Sequence, residues 1–440
     1  MAMDSKIRRL DCGADRISCL PRNLIEAILR HLPVHDVART SILSRNWRNI
    51  WGTYPKLIFD DKFFSQLVSK EDKEAPLFKA VRVVNQILLL HGGPILTFYL
   101  IIPPDLPLHE WLDTDFWIKN ISNNGVKEFG LCNTQDIPYT MPSYLFSCFE
   151  LNHLTLASCI LEPPPRFGGF SNLESVRLMN VIITADISFG PKLEQLILEF
   201  CMGIKHLGSL FKNHSNLSIL IIERGDIDWK LFESTQKSYL VSLMLKRVTN
   251  PIEKIVNLEK FVASMPRMNK LVVDDCFLKS LEPGVAIPKM LTTTMENLKR
   301  LCFSGVGFHD LVQIKYVLCL IRSSPNLQHL LLGPDPTDKR KDGLDLGAVG
   351  KDSVKSVEKY LHLPIKDMIL DKLETVGIRD IVGSRAELRF IKLLLVSSPS
   401  LQTMRLWYSD DCKEEARSRI SRELLQYNRC ASTTVKLIMQ

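Results

Sequence analysis

The sequence predicts an α/β chain: three short helices at the N-terminus, a curved solenoid of strand repeats behind them, and a C-terminal module closing the stack. Three observations carry this reading. A short basic stretch near the start holds more large apolar side chains than it can bury. An apolar hexamer recurs at a nearly constant step through most of the chain. The C-terminal part adds an amphipathic helical pattern to further hexamers. At 440 residues the chain is too long for one core and suits two or three domains or a repeat array.

The first element is "DRISCLPRNLIEAILRHLPVHDVARTSILSRNWRNIW", residues 15–51. Leu24, Ile25, Ile28, Leu29 and Leu32 follow helical spacing, with Pro21 ahead of the helix and Pro33 ending it. Asp36 stands where an N-cap belongs to a second helix bearing Val37, Ala38, Ile42 and Leu43. Ser44 is placed to cap a third helix carrying Trp47, Ile50 and Trp51. About 40 residues is near the lower limit for a domain that makes its own core. The surplus therefore either caps the following domain or is half of an interface, and Pro21 after Leu20 has no internal packing reason.

This stretch resembles an F-box, in the plant version, with its D-R-I-S-x-L-P start, R-T-S-x-L-S middle and W-R-x-x-W end. The resemblance covers residues 15–60 and implies docking on a Skp-type adaptor, and through it on cullin and RING subunits. It implies an adaptor-binding set of Leu20, Pro21, Leu24, Ile25, Ile28, Leu29, Leu32, Val37, Ile42, Leu43 and Trp47. Leu20 and Pro21 would enter the adaptor's groove and Trp47 would wedge the helices. Arg22-Asn23 and Arg30-His31 depart from the usual residues at rim positions.

The second element is the pattern apolar-x-x-apolar-x-apolar. It starts at residues 126, 151, 173, 193, 217, 240, 268, 298, 327, 373 and 401, for example "LESVRL", "LEQLIL" and "LQHLLL". Apart from one long step, the period of ~20–29 residues is the leucine-rich-repeat signature: each copy is a strand and a return that must stack to bury its apolar side. The solenoid is assigned to 61–360. Residues between the leucines then line the inner, concave face, where Arg177, Glu199, Lys246, Lys270, Arg300, Arg379, Arg405 and Trp407 are candidates for holding a target protein. Their charge is mixed, and no basic cluster stands out in adjacent repeats. The long step contains 333–356, rich in Asp, Lys, Gly and Pro, which reads as a solvated insertion loop.

The third element, 361–440, resembles the FBD module that follows F-box and leucine-rich repeats in plants. The matching stretches are "LETVGIRDIVGSRAELRFIKLLLVSSPSLQTMRLW" and "ISRELLQYNRCASTTVKLIM". Glu387, Leu388, Ile391, Leu394 and Leu395 have helical spacing.

Composition narrows the function. The balance of 56 basic and 49 acidic residues is mild, so neither nucleic acid nor a membrane is an expected partner. The apolar run from Ile87 to Ile102 is broken by His91, Gly92, Gly93 and Pro94, and reads as two strands or a helix and a strand. Eleven scattered cysteines without a C-x-x-C pair suit a reducing compartment, the nucleus or cytoplasm. No phosphate loop, dinucleotide fingerprint, nucleophile elbow or H-E-x-x-H motif occurs, so neither catalysis nor a cofactor is expected. The reading is a non-catalytic substrate-recognition subunit of an SCF-type cullin-RING ubiquitin ligase. The competing reading is an F-box scaffold or hormone-like co-receptor acting without a cullin.

Overall fold

The computed structural model describes residues 20–29, 31–32, 34–67, 76–104, 111–204, 216–225, 240–248, 256–281, 287–333, 351–362, 368–410, 412, 414–430 and 435–440. The chain divides into two compact units, Met1–Ala185 and Asp186–Gln440.

The first unit opens with helices α1 (Arg22–Leu29), α2 (Val34–Arg39) and α3 (Arg45–Trp51). Pro21 stands ahead of α1, and its carbonyl accepts from the Leu24 and Ile25 amides at 2.9 and 3.1 Å. Ser44 caps α3 as expected, its side chain accepting from the Trp47 amide at 3.4 Å. Asp36 is not a cap: α2 already begins at Val34, so Asp36 lies within the first turn and faces Arg39 at 3.6 Å. Leu32 falls beyond α1, which stops at Leu29.

After these come β1 (Lys56–Phe59), α4 (Asp61–Leu67), α5 (Pro76–Leu90), β2 (Thr97–Ile102), α6 (Trp111–Ser122) and β3 (Glu128–Asn133). Next are β4 (Tyr139–Thr140), β5 (His153–Ala157), β6 (Cys159–Leu161), β7 (Ser175–Met179) and β8 (Ile182–Ile183). Strands β1, β2, β3, β5 and β7 pair in that order, all parallel. The short β4, β6 and β8 make a second parallel sheet. The broken apolar run 87–102 resolves into the end of α5 and β2. The ladder thus starts at β1, ahead of the first recognised hexamer and inside the F-box stretch.

The second unit continues the same design with β9 (Gln195–Glu199), β10 (Ile219–Glu223), β11 (Ser242–Lys246), β12 (Lys270–Asp274), β13 (Arg300–Ser304) and β14 (His329–Leu332). Then follow β15 (Thr375–Ile381), β16 (Thr403–Tyr408) and β17 (Lys436–Met439). Neighbouring strands from β9 to β17 are parallel. Towards the C-terminus the returns are long helices: Leu311–Arg322, Lys351–His362, Arg385–Ser397 and Glu414–Cys430. Two expectations change here. Residues 351–356, assigned to the insertion loop, belong to a helix, and Val357 beside them is fully buried; 334–350 lie outside the described residues. The module at 361–440 also extends the ladder, since β15 pairs directly with β14 and β17 ends the array.

Register explains why every hexamer begins two residues before its strand. The leading leucine packs in the turn, and the other two apolar positions stack across strands. In the first unit Phe59, Leu100, Leu131, Leu156 and Leu178 align as direct partners, each at most 1% exposed. In the second, Leu196, Leu220, Leu243, Leu271, Leu301, Leu330, Val376 and Met404 align in the same way. The residue before most strands supplies a carbonyl to two amides of the next repeat. Lys299 O, for instance, accepts from the Gln328 and His329 amides, both at 2.9 Å. The asparagines of "SNL", "ENL" and "PNL" add a side-chain link: Asn172, Asn297 and Asn326 donate to the carbonyls of Phe149, Pro266 and Glu296 at 3.0, 2.9 and 2.7 Å.

Many of the strands end in a left-handed corner. Ser158, Asn180, Phe200, Arg224 and Arg247 have φ of 52°, 52°, 56°, 52° and 48°, and glycines take the corner at 305 and 333. A non-glycine residue there is strained by roughly 1–2 kcal/mol, a cost the stacked repeats on either side offset.

Helix Arg385–Ser397 begins with a capping box. Ser384 accepts from the Glu387 amide at 3.2 Å, and the Glu387 carboxylate accepts from the amides of Gly383 and Ser384 at 2.8 and 2.9 Å. Burial raises the Glu387 pKa despite those hydrogen bonds, which pull it down. A carboxyl raised in the folded state binds its proton more tightly there than when unfolded. Its stabilising contribution is therefore present below the ordinary glutamate pKa and is lost as pH rises through the folded value. Glu387→Gln should flatten the stability–pH curve in that mildly acidic window, read by denaturant unfolding at several pH values. Leu301→Ala, in the middle of the stacked row, should lower unfolding free energy by about 2–5 kcal/mol in the same assay.

Candidate functional site

Helix α1 is apolar on two sides. Its pairs Leu24-Ile25 and Ile28-Leu29 place one member of each inward and the other outward, because adjacent residues stand about 100° apart around a helix. Ile25, Leu29, Val37, Trp47, Ile50 and Tyr54 form one buried cluster, with Leu20 and Trp51 packed partly against it. Leu24, Ile28 and Leu32 remain 48%, 43% and 37% exposed, and Ile42 and Leu43 on the turn before α3 are 81% and 56% exposed. Pro21 is exposed beside Leu24.

The expected contact set therefore divides. Ile25, Leu29 and Val37 move from contact residues to the core that holds the helices together, since a fully buried side chain has no face to offer a partner, and Trp47 wedges the helices within that core. Leu20, Pro21, Leu24, Ile28, Leu32, Ile42 and Leu43 are the members that reach the surface. The rim is polar: Arg22 pairs with Glu26 at 2.8 Å and reaches Thr53 Oγ1 at 3.1 Å. Both partners face solvent, so this pair orders the rim and adds little stability.

The second candidate surface is the strand face of the unit Asp186–Gln440, described from β11 to β16. Register sorts its outward side chains into three rows. One row runs Ser242, Lys270, Arg300, His329, Thr375 and Thr403. The middle row runs Met244, Val272, Cys302, Leu331, Gly377 and Arg405. Lys246 on β11, Arg379 on β15 and Trp407 on β16 mark the third. At its β15 end the Arg379 guanidinium lies 5.0 Å from the Trp407 ring centre. A Cβ on Gly377 would lie 2.7 Å from Leu331 Cδ1 and 3.2 Å from the Trp407 ring, so the glycine is what lets both side chains lie across the strand.

This arrangement overturns the expectation that no basic cluster forms. Lys270 and Arg300 are direct partners on β12 and β13, although 30 residues separate them in the chain, while Lys246 stands at the far end of β11. Cys302 reports the field they make: burial raises its thiol pKa, while Lys270, Lys246, Arg300 and Arg379 each pull it down. Of the other candidates, Glu199 lies on β9 of the same unit and Arg177 is exposed on β7 of the first. Sequence reasoning did not single out Cys302 and Leu331, which occupy spacer positions of their hexamers and stand half-buried in the middle row; Val272 beside them is only 5% exposed and belongs to the core.

Eight cysteines form no disulfide, and burial pushes Cys148 up to about 12 and Cys319 up to about 11, away from a reactive thiolate. Asp274, Asp275 and Cys276 bring potential metal ligands together, but Asp274 caps the next helix and Asp275 pairs with Lys279 at 2.7 Å. Asp274 is only 3% exposed, so it offers no carboxylate to the strand face. No helix among the described residues is long and apolar enough to cross a membrane.

A parallel ladder of leucine-rich strands behind three short helices with an uncovered apolar edge defines an F-box protein of the leucine-rich-repeat class. The F-box domain family matches residues 17–59, and the leucine-rich repeats of the FBD-associated F-box protein At5g56370 family match 114–332. The Arabidopsis thaliana F-box/FBD/LRR-repeat protein At1g13570 is 32% identical over 97% of this chain and 99% of its own length. A second from that plant, At5g56420, is 26% identical over 72% of this chain and 76% of its own. The chain belongs to the F-box/FBD/LRR-repeat family. F-box/LRR proteins generally act as substrate receptors of SCF ligases and are typically non-catalytic, and an F-box in general implies binding to a Skp-type adaptor.

The division of the F-box residues is testable by unfolding alone. Ile25→Ala should cost about 2–5 kcal/mol as a cavity in the small core, while Ile42→Ala should change stability by less than ~0.5 kcal/mol.

Proposed function

We propose that this chain is the substrate-recognition subunit of an SCF-type cullin-RING ubiquitin ligase. The observation that carries the reading is the exposed apolar edge of Leu24, Ile28, Leu32, Ile42 and Leu43, continuous in sequence with Leu20 and Pro21. Five large apolar side chains on one small helical segment lose free energy in water, roughly 25 cal/mol for each Å² left uncovered. The Skp-type adaptor covers them and links the chain to cullin and RING subunits.

The repeats hold the target protein. The chain's contribution to ubiquitin transfer is proximity: tethering a target lysine near the charged conjugating enzyme raises its effective concentration without chemistry from this chain. We place the protein in the nucleus or cytoplasm, a reading supported by eight cysteines that form no disulfide, five of them buried.

Co-expression with a Skp-type adaptor tests the reading. Wild type should co-purify with it, and Ile42→Glu/Leu43→Glu should lose it by more than about tenfold, since two charges enter an apolar contact, with an unchanged unfolding midpoint. Retention of the adaptor by that folded variant, or its absence from wild type, would sink the proposal.

A further inference from the structure

The strand face from β11 to β16 carries an apolar stripe edged by cations. Half-buried Met244, Cys302 and Leu331 run along its middle, with Val272 buried between Met244 and Cys302. Lys270 and Arg300 line one side, Lys246 and Arg379 stand on the other, and Arg405 closes the stripe at β16. None of Lys270, Arg300, Arg379 and Arg405 is paired with a carboxylate among the described residues, and Arg300 and Arg405 are exposed. Four of the cations act together on the Cys302 thiol, so their fields overlap at the centre of the stripe rather than dispersing over the surface.

We propose that this face docks an acidic segment of the target protein, one that alternates carboxylates with aliphatic side chains. The proposal rests on the substrate-receptor reading and adds the chemistry of what is received. Aliphatic side chains of the segment cover the middle row, and its carboxylates meet the cations on both edges. Six strands spaced by about 4.8 Å span roughly 24 Å, the length of about seven extended or sixteen helical residues.

A nucleic acid fits less well. Base stacking wants aromatic platforms along the track, and here Trp407 stands at one end while Met, Val, Cys and Leu fill the middle. Glu199 and Glu223, direct partners on β9 and β10, place carboxylates at the other end of the same face, where a phosphate chain would be repelled. Glu223 is also the register partner of Lys246, so an acidic peptide is held chiefly by Lys270, Arg300, Arg379 and Arg405 and ends short of β10. Nearby, Arg224 is drawn onto the Phe200 ring at 4.7 Å, outside the stripe.

The probe is a fluorescein-labelled peptide of about sixteen residues built from Glu and Leu, with a Gln/Leu twin of the same length. Binding is read by anisotropy on the full chain. The Glu peptide should bind at least about tenfold more tightly than the Gln twin and weaken from ~0.1 to ~0.5 M salt as the edge charges are screened. Lys270→Glu/Arg300→Glu should lose that preference. Arg82→Glu/Arg422→Glu, the same change in net charge at exposed helical positions, should keep it. Arg405→Gln, a milder change on the stripe, should weaken binding severalfold.

Equal losses in both double variants would assign the effect to net charge and overturn the site. Equal binding of the two peptides by wild type would also overturn it, as would tighter binding of a single-stranded oligonucleotide of matched length. Adaptor co-purification, measured on the same preparations, separates the two readings. A chain that retains the adaptor and ignores the Glu peptide refutes the acidic-segment proposal alone. A chain that binds the peptide but not the adaptor refutes the ligase assignment alone.

Discussion

The stacking of identical strand positions across neighbouring parallel strands is the constraint on which the rest depends. Each strand is too short to be stable alone, and its apolar side chains find cover only from the repeats beside it. Because side chains alternate, a slip of one residue at any pair would turn Leu301 and Phe303 outward and Arg300 and Cys302 inward. Register is held at the strand entrances by carbonyls that accept two amides from the next repeat, and at three repeats by an asparagine side chain. The left-handed corners then turn the chain at the strand exits, even where serine, phenylalanine or arginine must adopt the conformation.

The F-box joins this scheme without a break. Leu57 and Phe59 on β1 are buried partners of Phe98 and Leu100 on β2, so the first strand of the ladder emerges directly from the helices. The Gly92 amide donates to the Gly52 carbonyl at 2.7 Å, and the Pro55 carbonyl accepts from the Leu96 and Thr97 amides, fastening that exit. The six-residue core of the helices is small, yet it leaves Leu24 and Ile28 outward in fixed positions. Rigid presentation of this kind lowers the entropic cost of docking.

The two candidate surfaces use different physics. The helical edge is apolar with a thin polar rim, the composition of a stable protein interface core. The strand face concentrates cations around a half-buried thiol and a tryptophan, so its recognition depends on charge placement and on salt. One surface suits a constant partner, the other an exchangeable one, which is the division of labour a substrate receptor requires.

The sequence by itself determined the elements that depend on neighbours along the chain. The helical spacing of Leu24, Ile25, Ile28 and Leu29, the cap at Ser44 and the hexamers that become β3, β5, β7 and β9–β16 are local patterns, each legible because its period matches one backbone geometry. The F-box stretch was legible as a motif, but not which of its apolar residues face out: Ile25 and Leu24 are equivalent until the core of Val37, Trp47 and Ile50 selects one side. Strand β2 lies in the apolar run that reads as holding a strand, whereas β1 and β17 are not among the hexamers and are recognised only by their partners. The basic cluster on the strand face was likewise invisible in one dimension. Lys270 and Arg300 lie in separate repeats, and only the parallel pairing that sets strands about 4.8 Å apart turns these distant charges into neighbours whose fields add.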